Sequence, residues 1–459
     1  MRPIPLRDGV SMTEGKIGKQ LLVFALPIIA TNLLQQAYVV VDVAVVGRFL
    51  GRDALAAVGS VGSMIHLVIG ILVGLGAGVG IVAAQYYGAG EKNLLKRLIH
   101  TAIFGSLFAG VFMAFFGNLV FPLLINLLNF PYYIAVLSSQ YLRIYFIGII
   151  PALLYNVSIG IIRAMGDSRR PLYYLIISGF LNLGLNLFFI LVLGWGIVSI
   201  AWATVISQSV AAILSLIRLT KLDEAYRLRW KELRMDISVL RRVVRIGLPI
   251  GVQAFSFTLP NLYIQANINR FGSAAMAGVA AYLQIYAFLY MIAIGLSMAV
   301  VTFVGQNAGA GNIPRIRGGT RHALVIAACL GITTTAAVLL FAQPMLRLFT
   351  TDACAIYYAT LMMWFITPTF TLFAVSEVLN GVFRGVGRTT QAMIITGCYI
   401  GGVRVIWLFF ATRFWYEIEV VLAVFPLSWL CYMLGSVLYY RFGKWWRDID
   451  GGTVQTNSL

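Results

Sequence analysis

A chain of 459 residues that is 60% hydrophobic and only 11% charged, with a mean hydropathy of +0.88, is far more apolar than soluble globular domains, which are about a quarter charged. This composition excludes a soluble domain, and the absence of short alternating segments excludes a membrane β-barrel. The formal net charge of +18 would suit nucleic acid, unless the basic residues are distributed by membrane topology.

The first apolar run, from about Ile17 to Val46, is too long for a signal peptide and lacks a small-residue cleavage site. It is read as a retained helix. Eleven further runs, each able to cross a roughly 30 Å hydrocarbon core as a helix, begin near residues 55, 96, 134, 171, 196, 239, 276, 320, 355, 389 and 416. With the N-terminus inside, the cytoplasmic segments and helix ends carry 27 of the 34 Lys and Arg, the outer segments carry five, and Arg143 and Arg404 lie within spans. This asymmetry is the positive-inside rule; it predicts both termini in the cytoplasm and accounts for the charge without nucleic acid. The four cysteines, Cys329, Cys354, Cys398 and Cys431, form no CxxC pair, which argues against a disulfide framework or a metal site.

The chain is written twice. LPIIATN at Leu26 answers LPIGVQA at Leu248, and RFLGRDALAAVG at Arg48 answers RFGSAAMAGVA at Arg270. QYYGAG at Gln85 answers QNAGAG at Gln306, and GIIRAMGDSRRP at Gly160 answers GVFRGVGRTTQA at Gly381. The offset is 221 or 222 residues throughout. The predicted fold class is an all-α polytopic membrane protein, with twelve transmembrane helices in two six-helix bundles. Six spans per repeat put both halves in the same orientation, related by a pseudo-twofold axis along the membrane normal. The predicted division is 1–217 for the N-terminal lobe, 218–238 for a cytoplasmic linker, 239–445 for the C-terminal lobe and 446–459 for a cytoplasmic tail. From Asp236 the linker reads as an amphipathic helix lying at the interface.

GILVGLGAGVG, residues 70–80, lies inside span two with no GK[ST] after it, so its glycines are read as close helix packing rather than a phosphate loop. The glycines of QYYGAG and QNAGAG suit helix C-caps. Pro27, Pro151, Pro249 and Pro368 fall mid-span and should bend their helices.

Asp42 stands in the apolar stretch VVVDVAVVGRFLG. A carboxylate within a bilayer is expensive and usually serves a pathway or pairs with a partner. Thr31, Gln35, Tyr38 and Asp42 fall on one helical stripe, which should face the lobe interior. Counted from the turn Gly194-Trp195-Gly196, Asn186 and Thr204 each lie roughly 13 Å deep, Tyr141 about 10 Å and Asp42 roughly 8 Å at the helical rise. Asn182 is one turn deeper than Asn186. One carboxylate, two amide oxygens and two hydroxyls suit a hard cation. The same acid could instead take up a proton, since the neutral form is cheaper in hydrocarbon. The plain alternative for Asn182, Asn186 and Thr204 is interhelical hydrogen bonding.

Taken together, LPI in spans one and seven, the D-x4-GR of Asp42 to Arg48, QYYGAG, QNAGAG and the RAMGD and RGVGR turns resemble the multidrug and toxic compound extrusion (MATE) transporters, in the prokaryotic type with an N-lobe acid in the first span. The resemblance runs from about Lys16 to Arg441. It implies two lobes of six helices and a secondary active antiporter that exports amphipathic, often cationic compounds by alternating access, driven by inward Na+ or H+. It also implies that Asp42, with Tyr38, Tyr141, Asn182, Asn186 and Thr204 at matching places, forms the cation or proton site. Some relatives carry Asp where this chain has Asn186. One branch carries an acid in span seven where this chain has Phe257.

The repeat puts Ile264 at the place of Asp42, and Val403 and Trp407 at those of Asn182 and Asn186, so the C-terminal half lacks the cluster. Glu377 and its repeat partner Asn156 are a possible second polar site; Glu377 could simply pair with Arg384. His66 in span two is read first as a packed, hydrogen-bonded residue. Gln35, Asn261, Tyr263, Gln284, Phe288 and Met291 are candidate cleft residues for the cargo, with Tyr282 and Tyr286 beside them. No cofactor and no metal beyond Na+ is expected. The expected partners are a small amphipathic or cationic molecule and the lipid bilayer, and the expected form is a monomer in the inner membrane of a prokaryote. Two other readings are a lipid-linked oligosaccharide flippase, disfavoured by having only two in-span arginines, and a membrane-embedded enzyme, disfavoured by the absence of HExxH and of paired in-span carboxylates.

Overall fold

The computed structural model describes residues 11–127, 131–415 and 417–446. The expected tail falls almost wholly beyond them, and the side chain of His66 also lies outside the described residues. The described residues contain twelve helices long and apolar enough to cross a membrane. Spans one to six are Ile17–Leu50, Val68–Ala89, Lys92–Phe121, Tyr132–Ala164, Arg169–Leu191 and Ile197–Thr220. Spans seven to twelve are Ile237–Phe271, Ser273–Gly309, Ile313–Leu340, Ala353–Gly385, Thr389–Phe414 and Ile418–Phe442. The protein is an all-α polytopic membrane protein.

The ends are set by local chemistry. Gly90 closes span two in the left-handed conformation, φ 73°, and its N–H reaches the Tyr86 and Tyr87 carbonyls. Gly311 in QNAGAG also has a positive φ, 68°. Asn312 then caps span nine, its side chain accepting from the Arg315 N–H at 3.0 Å. Asp352 caps span ten, accepting from the Ala355 N–H at 2.7 Å.

The prolines act unequally. Pro27 and Pro151 sit inside helices that continue through them, whereas Pro368 lies in the 3-10 turn Thr367–Thr369 that interrupts span ten. Two π turns occur, Val46–Leu50 ending span one and Gly397–Gly402 interrupting span eleven. Each lies beside a charged residue within its span: Asp42 precedes the first and Arg404 follows the second. A π turn inserts a residue and re-aims the side chains around it.

The chain forms two compact units. The first contains Leu33–Gly251; the second contains Met12–Asn32 and the chain from Val252 onward. Two segments therefore leave the division drawn at the linker: the first half of span one belongs with the second unit, and the first part of span seven belongs with the first. Glycine contacts show why. A Cβ on Gly74 would lie 2.4 Å from the Gly251 nitrogen, and one on Gly78 would lie 2.6 Å from the Gly247 Cα. The glycines of GLGAGVG thus press span two against the start of span seven, backbone to backbone, as small residues allow. In the second unit a Cβ on Gly295 of span eight would lie 2.9 Å from the Ile29 Cα, and the Asn32 amide donates to the Met291 carbonyl at 3.4 Å.

Each exchanged segment is also fastened at its leading end. Ahead of span one, the Met12 N–H donates to Gln306 Oε1 at 3.0 Å, and the Met12 carbonyl accepts from Asn307 Nδ2 and Arg315 Nε, both at 3.0 Å. Ahead of span seven, Asp236 accepts from Arg97 Nε at 2.7 Å and caps the helix through the Ser238 and Val239 N–H groups. The Ser238 hydroxyl, with help from the Arg97 guanidinium, holds the Asp236 carboxyl at about 2, below the usual carboxylate range. The amphipathic segment expected from Asp236 is the first turns of Ile237–Gln253, and it runs directly into span seven.

Candidate functional site

The first unit gathers its polar side chains in one place. Span five presents Asn182 and Asn186 one turn apart, both buried. Span six brings Thr204 and Ser207, three residues apart, to the same side, and span one brings Asp42 and Tyr38. Asn186 Nδ2 donates to Asp42 Oδ1 at 2.8 Å and to Asn182 Oδ1 at 2.7 Å. Asn182 Nδ2 in turn faces Thr204 Oγ1 at 3.4 Å and Ser207 Oγ at 3.5 Å. The orientation of both amides follows from their partners, because a turned Asn186 would set its oxygen against a carboxylate. The result is one continuous network of hydrogen bonds that links span six through span five to the acid of span one, with the Asn186 amide donating both ways.

Two oxygens in this cluster remain unmatched. Asn186 Oδ1 and the Tyr38 hydroxyl are buried and make no hydrogen bond of ordinary geometry; the Tyr38 hydroxyl faces Ser207 and Thr204 at longer range. Buried polar atoms without a partner are uncommon and call for an ion, a water or a catalytic reason. Here the orphans are oxygens next to a carboxylate, which is the donor set a hard cation takes. Tyr141 of span four is buried, stacks on Tyr145 at 6.0 Å, and lies within electrostatic reach of Asp42 and Tyr38.

The structure thus brings Asp42, Tyr38, Tyr141, Asn182, Asn186 and Thr204 together. It adds Ser207, which the sequence reading missed; its signal was the spacing of one helical turn from Thr204. The polar stripe of span one does not stay together. Gln35 is exposed, and Thr31 is buried with its hydroxyl donating to the Pro27 carbonyl at 2.7 Å, so Thr31 satisfies its own helix beside a proline.

Glu377 is buried and fully engaged. Arg384 donates to its Oε2 at 2.8 Å and the Tyr432 hydroxyl to its Oε1 at 3.0 Å, while Ser297 donates to its main-chain carbonyl at 2.6 Å. Asn156, in the other compact unit, donates to the Ala152 carbonyl of its own helix at 2.8 Å, so the two do not share these partners. Gln253, Asn380 and Thr396 extend the polar core of the second unit: Gln253 Nε2 donates to Thr396 Oγ1 at 2.5 Å and Asn380 Nδ2 to the same oxygen at 3.1 Å. Of the cleft candidates, Asn261 and Gln284 are exposed, and Tyr263, Phe288 and Met291 are half-buried. Tyr282 is buried, with its hydroxyl bonded to Thr367 at 3.1 Å, which is a packing role. Among the described residues no group of three or more His, Cys, Asp and Glu could hold a metal ion.

Comparison with known proteins decides the family. The MatE profile matches the chain twice, over residues 27–188 and 249–410. The chain belongs to the MatE family. The two MatE matches start 222 residues apart (27 and 249), the spacing of the internal repeat. The chain is 27% identical over 443 residues to "Probable multidrug resistance protein YoeA" of Bacillus subtilis strain 168, covering 94% of this chain and 95% of that one. It is 27% identical over 388 residues to "Probable multidrug resistance protein NorM" of Thermotoga maritima strain MSB8, covering 83% and 82%. Its fold is similar to that of a solved structure described as the "outward-facing conformation of a multidrug resistance MATE family transporter of the MOP superfamily", with a TM-score of 0.89, 21% identity and coverage of 97% and 98%. MatE membership assigns the chain to the multidrug efflux transporters, with a transport role rather than an enzymatic one.

Proposed function

We propose that this MatE protein is a secondary active antiporter that exports amphipathic, often cationic compounds by alternating access, and that inward Na+ or H+ drives it through the Asp42 cluster. The observation that carries this reading is the continuous hydrogen-bond network Ser207/Thr204–Asn182–Asn186–Asp42, with two orphaned oxygens beside the carboxylate. Na+ bound there would be ligated by the Asp42 carboxylate, Asn186 Oδ1 and the Tyr38 hydroxyl. A proton would neutralise Asp42 directly. Either occupant removes a buried negative charge and so favours a more tightly packed arrangement of spans one, five and six. The empty site favours one that admits water. A coupling ion biases the protein only through its differential affinity for the two states, and swinging the population from one to the other takes about 5 kcal/mol. A buried carboxylate is among the few groups here able to supply that.

In the same reading the protein sits in the inner membrane of a prokaryote with both termini cytoplasmic, and works as a monomer. The test is efflux of a fluorescent cationic dye from proteoliposomes, with a Na+ gradient and a pH gradient imposed separately. Dye movement that follows one gradient supports antiport and names the ion; dye movement indifferent to both contradicts it.

A further inference from the structure

The second unit carries a charge of the opposite sign at the place where the first unit carries its amides. GIIRAMGDSRRP and GVFRGVGRTTQA, at Gly160 and Gly381, stand 221 residues apart, but the two MatE matches end at 188 and 410, which are 222 apart. The π turn Gly397–Gly402 lies between those points in the second half, and a π turn takes up one extra residue. Counted through that turn, Arg404 rather than Val403 occupies the place of Asn182, and the buried Leu408 that of Asn186. Ser428 of span twelve partners Arg404 as Ser207 of span six partners Asn182.

Arg404 is only 2% exposed. Its Nε donates to Ser428 Oγ at 3.2 Å and its Nη1 to Asn261 Oδ1 at 2.8 Å. Both partners are neutral, and among the described residues no carboxylate forms an ion pair with it. A cation buried in a membrane span without a counter-charge is costly and marks a functional place by default. The ring of Phe425 lies under the guanidinium at 4.8 Å. Phe425 meets Trp429 edge-on at 6.1 Å, and Trp429 stacks on Tyr286 at 5.9 Å. Tyr286 and Tyr290 lie within electrostatic reach of Arg404. Asn261 is exposed, so one partner of the buried guanidinium reaches the surface. The wall is aromatic, and the buried indole N–H of Trp429 in it has no hydrogen-bond partner among the described residues.

We propose that Arg404, presented by the π turn and walled by Phe425, Trp429 and Tyr286, is an anion-accepting subsite that takes the carboxylate of an aromatic cargo. A guanidinium offers a planar fork that fits a carboxylate, and the flat rings beside it fit an aromatic body. The subsite extends the multidrug-export reading, on which it rests for the word cargo: the exported compounds include carboxylates as well as cations.

The test is calorimetric titration of the purified full chain in lipid nanodiscs with 2-naphthoate and with its neutral isostere 2-naphthamide. The wild-type protein is expected to bind naphthoate at least tenfold more tightly than naphthamide. Arg404→Gln should remove that preference and leave naphthamide binding unchanged. Asn261→Asp keeps shape and supplies the missing counter-charge, so it should fold whether or not Arg404→Gln does, and it should also abolish the preference. Equal wild-type affinities, or a preference that survives Asn261→Asp, would overturn the proposal. Suppression of naphthoate binding by chloride but not by gluconate at equal ionic strength would give the site to a small inorganic anion and overturn it as well. No gradient is used, so a failure of ion-driven efflux would sink the antiport reading while leaving this preference measurable.

Discussion

At the scale of single residues, the orphaned oxygens separate an ion site from a structural knot. The Tyr38 hydroxyl makes no hydrogen bond of ordinary geometry and only faces Ser207 and Thr204, so Tyr38→Phe removes no more than a weak contact and should change the melting temperature little. If the hydroxyl ligates the coupling cation, the same substitution raises the ion concentration for half-maximal efflux about fivefold, the weight of one neutral ligand near 1 kcal/mol. Unchanged ion dependence would remove Tyr38 from the site. Asn186 behaves differently, because its amide bridges Asp42 and Asn182 at 2.8 and 2.7 Å. Asn186→Ala strands a carboxylate and an amide and should lower both stability, by about 1–3 kcal/mol, and coupling. Thermal melts read beside efflux at matched protein levels distinguish the two patterns.

At the scale of elements, span two and the start of span seven meet backbone to backbone at Gly74 and Gly78. Gly78→Leu has no flexible neighbour to displace, since its Cβ would meet the Gly247 main chain at 2.6 Å. A loss of about 1–3 kcal/mol or more is expected, as for overpacked cores, measured as reduced melting temperature in detergent. An unchanged melt would contradict the packing. The Asp236 clamp gives a pH prediction. Its carboxyl is held at about 2, below the ordinary value of 3.8, so its contribution is complete above the ordinary value and fades as pH falls towards the folded one. The melting difference between wild type and Asp236→Asn should therefore be constant from about pH 5 to 8 and shrink only below about pH 4. A difference that changes near neutrality would point to another group. The helices themselves were legible in the sequence, because each needs a long apolar run and little else. The exchange of half-spans was not: LPI marks spans one and seven, but nothing in its pattern says which glycine-bearing neighbour each will press against. The π turn at Gly397–Gly402 was equally hidden, and a mirror count that ignores it lands on Val403 instead of Arg404.

At the scale of the whole molecule, the twelve spans, their doubling and the family could all be read before any coordinates, since the repeat recurs at one offset and the motifs fall in one order. That Asp42 would lie near Asn182, Asn186 and Thr204 was legible too, because depth in a helix follows from counting residues and the MATE resemblance named the same positions. Ser207 and the Tyr432 and Ser297 contacts of Glu377 needed side-chain geometry, whereas its pairing with Arg384 was readable from their spacing. The basic linker should face the cytoplasm. In a background with Cys329, Cys354, Cys398 and Cys431 replaced, since three of these are exposed, Lys221→Cys should resist an impermeant thiol reagent applied to intact cells and react after lysis. Strong labelling from outside would invert the topology. The most direct test of the central claim is gradient-driven dye efflux by Asp42→Asn beside wild type, at equal amounts of folded protein in the same vesicles. If Asp42 is the coupling acid, the variant reaches the membrane and binds dye, yet its efflux no longer responds to the Na+ or pH gradient that drives the wild type. Near-normal gradient-dependent efflux by Asp42→Asn would contradict the account and leave Asp42 a structural residue.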